Sequence, residues 1–127
     1  KDSKRWLIGL NRGNYKVLQL KRADNLKQIY ESELADFLEK ELAGATIVLF
    51  GSYSRGEDIW FGEVNDRNSD MDIAIVGRNK KDIDLKKFEE ILERKIYLNF
   101  YTSFKDINKN LKENILNGIF LVGGVDL

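Results

Sequence analysis

The run Thr46-Ile47-Val48-Leu49-Phe50 restricts the fold more than any other part of the chain. A strand with one wet face alternates apolar and polar residues. An unbroken apolar run rich in β-branched residues instead predicts a central strand buried on both faces. Such a strand needs covering layers on both sides, and the flanking sequence supplies them. Upstream, Leu26, Ile29, Tyr30, Leu34, Phe37, Leu38 and Leu42 recur at three- and four-residue steps. They predict helix from Tyr15 to about Leu42, broken near Ala23-Asp24 with Asp24 as an N-cap, and stopped by Gly44. Downstream, Leu85, Phe88, Ile91 and Leu92 predict a second amphipathic helix, and Ile107 to Leu116 a third. Between these lie further strands: Asp70 to Val76, ended by Gly77; Ile96 to Tyr101; and Ile119 to Val122. On the Ile96–Tyr101 strand, Ile96, Leu98 and Phe100 face one way and Tyr97, Asn99 and Tyr101 the other. The opening Arg5-Trp6-Leu7-Ile8-Gly9-Leu10 reads as a short strand closed by the turn Asn11 to Asn14. The pattern predicts an α/β (α+β) fold, a small mixed β-sheet flanked by helices.

Composition removes much of the catalytic menu. A chain of 127 residues builds one core. It has no cysteine and no histidine, which excludes disulfides, thiolate metal sites, a histidine proton shuttle and histidine-ligated zinc. Lys+Arg and Asp+Glu both number 21, so bulk charge makes no case for a nucleic-acid or membrane partner. What remains is carboxylates, hydroxyls, lysines, arginines and a hard, oxygen-loving cation, magnesium or manganese. No apolar run approaches the roughly 20 residues of a membrane helix, and no signal-peptide pattern opens the chain. The expected location is the cytoplasm.

One segment gathers groups of that kind. Phe50-Gly51-Ser52-Tyr53-Ser54-Arg55-Gly56 is followed by a loop and then by Ser69-Asp70-Met71-Asp72-Ile73-Ala74-Ile75-Val76. Gly51, at the end of a buried strand, lets backbone amides approach a phosphate without a Cβ in the way. Ser52 adds a hydroxyl, and a helix starting there would aim free N–H groups at the same anion. Asp70 and Asp72 stand two apart, so on a strand both carboxylates reach one face while Met71, Ile73 and Ile75 pack on the other. Two carboxylates on a rigid strand suit magnesium bridging a triphosphate. Arg55 is a candidate for triphosphate contact. A second Asp-x-Asp, Asp82-Ile83-Asp84, has no glycine-serine turn before it; Asp84 reads as the N-cap of the following helix.

Phe50-Gly51-Ser52 with Asp70-Met71-Asp72-Ile73 resembles the minimal nucleotidyltransferases of the DNA polymerase β-like superfamily. Ser54-Arg55-Gly56, Ser69 and the closing Asn117-Gly118-Ile119-Phe120-Leu121 are similar to the same family. The resemblance implies a nucleotidyltransferase domain over residues 26–127. Residues 1–25 resemble the lead-in of archaeal members that carry an upstream winged-helix domain, the one implied route to DNA. It further implies magnesium-dependent transfer of a nucleoside monophosphate, AMP by expectation, from a nucleoside triphosphate to an acceptor hydroxyl. Asp70 and Asp72 would hold Mg2+ or Mn2+, and Gly51, Ser52 and Arg55 the phosphates. Two departures accompany it. Ile59-Trp60-Phe61-Gly62-Glu63-Val64-Asn65 resembles an insertion whose Trp60 and Phe61 are candidates for stacking on a base or for a contact between copies of the chain. The third carboxylate of active relatives falls on Asn99, which cannot act as a base near neutral pH. The resemblance therefore leaves two functions open: transfer to an acceptor, such as a companion protein of the toxin–antitoxin kind, or a nucleotide-binding or regulatory module without turnover.

Overall fold

The computed structural model describes residues 15–51, 54 and 70–124. Its elements in chain order are α1 (Tyr15–Glu31), α2 (Leu34–Glu41), β1 (Thr46–Phe50), β2 (Met71–Val76), α3 (Lys86–Leu92), β3 (Ile96–Tyr101), a 3-10 turn (Phe104–Asp106), α4 (Lys109–Leu116) and β4 (Ile119–Val122). The strand expected at Arg5 to Leu10 and the insertion around Trp60 and Phe61 lie outside the described residues.

The strands form one four-stranded sheet in the order β3-β2-β1-β4. β1 runs antiparallel to both β2 and β4, while β2 and β3 are parallel, joined by a crossover through α3. The sheet is mixed, as the strand pattern predicts. Strict alternation then sorts the side chains into two layers. Ile47, Leu49, Met71, Ile73, Ile75, Leu98 and Phe100 face Ile29 of α1, Leu34 and Leu38 of α2, and Phe88 and Leu92 of α3. Val48, Phe50, Ala74 and Val76 face Phe104, Ile107 and Ile115, contributed by the 3-10 turn, the residue after it and α4. Ile47, Val48 and Leu49 have no solvent exposure, which is why β1 carries no polar alternation. Each such side chain contributes about 1.5–3 kcal/mol of burial. Phe37 of α2 and Phe88 of α3 tie the helical layer together, their ring centroids 5.0 Å apart.

Four local features depart from the sequence pattern. The break expected near Ala23-Asp24 is absent: α1 runs through it, and Asp24 accepts from Gln28 Nε2 at 3.0 Å one turn later, a contact that supports the helix. The break falls instead at Ser32-Glu33. There Ser32 Oγ donates to the Ile29 carbonyl, and Glu33 takes a left-handed φ of 68°. Tyr30 and Ile91 belong to the apolar periodicity yet are 49% and 52% exposed, because the buried stripe is narrower than the pattern. Strand β2 begins at Met71, so Asp70 precedes it instead of opening it. The N-cap of α3 is Leu85 and not the expected Asp84, whose carboxylate, one residue further upstream, instead accepts from Lys86 N at 3.0 Å. No helix among the described residues is long and apolar enough to cross a membrane.

Candidate active site

The site lies where β1 ends and β2 begins. Beyond Phe50 the backbone turns sharply at Gly51, with φ +84°. The hydroxyl of Ser54, only 2% exposed, donates to the Gly51 carbonyl at 2.8 Å. That bond, which spans the turn from its first residue to its fourth, gives the buried hydroxyl its partner.

The antiparallel register pairs Phe50 with Asp72, which carries the Asp72 side chain to the flank of this turn. A Cβ placed on Gly51 would stand 3.0 Å from Asp72 Oδ2. The glycine thus gives the carboxylate its space as well as giving the chain its bend. Asp70 is exposed just ahead of β2, and Asp72 is partly buried within it. Met71 and Ile73 are fully buried on the opposite side, the alternation that the Asp-apolar-Asp spacing predicts.

Burial pushes the Asp72 carboxyl above its usual pKa, and the negative charge of Asp70 pushes it further the same way. The two carboxylates are close enough to feel each other. A cation between them would relieve both effects, so the residues present suit a hard divalent ion in charge and donor type. Among the described residues no third acidic side chain joins the pair.

β3 supplies the next side chains on this face. The parallel register sets Tyr97 beside Asp72 and Asn99 two pairs deeper, beside Ala74. Asn99 therefore shares the face of Asp72, with its Nδ2 toward the Ile73 carbonyl at 3.4 Å. Sequence reasoning singled out Asn99 and passed over Tyr97, the nearer neighbour in register. Its place depends on how two strands separated by a helix line up, and no local spacing records that. Of the expected site residues, Gly51, Asp70 and Asp72 come together; Ser52 and Arg55 lie outside the described residues.

The molecule is thus a mixed α/β domain whose central strand ends in a glycine turn against a pair of carboxylates. Residues 31–122 match the nucleotidyltransferase domain family, and the chain belongs to it. The matched span takes in all four strands with α2, α3 and α4, α1 lying ahead of it but for its last residue, and the reaction class it defines is nucleotidyl transfer. Neither the curated proteins nor the solved structures give a match.

Proposed function

We propose that this domain transfers a nucleoside monophosphate, AMP by expectation, from a nucleoside triphosphate to an acceptor hydroxyl with the help of Mg2+ or Mn2+. The observation that carries the reading is the approach of Asp72 to Gly51, with Asp70 alongside, in a chain of the nucleotidyltransferase family. Asp70 and Asp72 hold the cation. The cation, when bound, neutralises charge on the triphosphate and on the departing pyrophosphate. Gly51 leaves its amide open to the β- and γ-phosphates; Ser52 and Arg55 take phosphate contacts by family resemblance.

The acceptor oxygen bonds to the α-phosphorus as the bond to the β-phosphate oxygen breaks. The chain contributes by holding the phosphates and their charge in place, which is most of what such a transfer requires. Asn99 is an amide and takes no proton near neutral pH, so the acceptor's proton leaves to solvent, to the acceptor itself or to a partner protein. The acceptor we favour is a side chain on a companion protein.

A second reading has support of its own. With Asn99 and Tyr97 where the neighbouring strand meets Asp72, the domain would bind a nucleotide for regulation without turnover. One measurement tests what the two readings share, and a second separates them. Calorimetric titration with ATP and Mg2+ gives heat under both. Radiolabel transfer from α-labelled ATP to candidate partner proteins appears only under the first, and is lost in Asp70→Asn. Equal labelling by wild type and Asp70→Asn would refute catalysis at this pair.

A further inference from the structure

Four large apolar side chains among the described residues are about half or more exposed: Leu20, Tyr30, Ile91 and Tyr97. The first three lie on α1 and α3, in the helical layer behind the site. Tyr97 does not. It is the register partner of Asp72, and parallel partners project from the same side of a sheet, one strand spacing of about 4.8 Å apart. Deeper on that side, Ala74, Val76 and Tyr101 pass under Phe104, Ile107 and Ile115. At the level of Asp72 the cover still reaches Phe50 on β1, 8% exposed, but it does not extend across the sheet to the edge strand β3, where Tyr97 is 48% exposed. Packing therefore explains Tyr101 but not Tyr97.

We propose that Tyr97 is the platform on which the base of the nucleoside triphosphate stacks, and that it biases the site towards purine triphosphates. This rests on the reading of Asp70 and Asp72 as the cation-held phosphate site. Phosphates held at Asp72 leave the nucleoside within one nucleotide's length, and the adjacent edge strand presents the ring within that reach. Stacking on an aromatic ring strengthens binding of a base about 5- to 150-fold. A bicyclic purine overlaps the ring more than a pyrimidine does, so the gain is larger for ATP or GTP than for UTP.

The test is titration of wild type, Tyr97→Ala and Tyr97→Phe with ATP, UTP and inorganic tripolyphosphate, each with Mn2+. Thermal melts confirm that the variants fold. The expected result for Tyr97→Ala is a loss of about tenfold or more for ATP, a smaller loss for UTP and none for tripolyphosphate. Tyr97→Phe keeps the ring and retains ATP affinity. Unchanged ATP affinity in Tyr97→Ala, or a parallel fall for ATP and tripolyphosphate, overturns the platform. If wild type binds tripolyphosphate as tightly as ATP, the platform fails while the phosphate site stands. If wild type binds neither ligand, the phosphate site fails and the platform with it.

Discussion

Alanine at Gly51 tests whether the turn and the acidic pair form one unit. At φ +84° an L-residue costs about 1–2 kcal/mol. Stiffening of the unfolded chain returns about 0.4–1 kcal/mol, leaving a backbone penalty near 1 kcal/mol. Gly44 isolates that penalty, since its φ is +90° and an added Cβ meets nothing within 4 Å. At Gly51 the same Cβ also presses Asp72 Oδ2 at 3.0 Å, and the carboxylate must give by a few tenths of an ångström. Contacts of that kind couple by about 0.5–1 kcal/mol. Gly51→Ala should therefore cost about 1.5–2 kcal/mol against about 1 for Gly44→Ala. In melting temperature that is roughly 6–8 °C against 4 °C for a chain of this size. Urea and thermal unfolding of Gly51→Ala, Asp72→Ala and the double variant give the coupling directly. If Gly51→Ala costs the same with and without the Asp72 side chain, the two groups do not touch and the site as described is wrong.

Other outcomes follow from the same geometry. The Asp72 carboxyl has its folded pKa raised above the unfolded value, so folding favours the neutral form. The resulting penalty enters as pH rises through the carboxylate range and is complete above the folded pKa. Metal-free Asp72→Asn should thus melt higher than wild type at pH 7, with the gap closing on acidification. A gap independent of pH would contradict the assignment. At Gly118 a Cβ would lie 2.2 Å from the Leu49 carbonyl oxygen, inside the backbone of β1. Gly118→Ala should cost about 3 kcal/mol or more through overpacking, read by urea unfolding, and a change under 1 kcal/mol would refute this contact.

Much of this protein can be read along the chain because periodicity is a property of neighbouring residues. The apolar run at Thr46–Phe50 marks β1, the alternation from Ile96 to Tyr101 marks β3, and the three- and four-residue steps mark α2. Gly51, Asp70 and Asp72 stand out for the same reason: a strand-end glycine and carboxylates two apart are local patterns. Where α1 ends was less legible, since Asp24 serves a cap or a helical side-chain bond equally well and packing of Ile29 and Leu34 moved the break to Ser32-Glu33. Register belongs wholly to the tertiary structure. Setting Tyr97, not Asn99, beside Asp72 depends on how far α3 carries the chain before β3 returns parallel to β2. A slip of two residues would preserve every in–out alternation while changing the neighbour of the acidic pair. Sequence alone thus determined which faces are apolar and which groups are candidates. Their pairing across the sheet was decided by long-range packing, which no short window of residues contains.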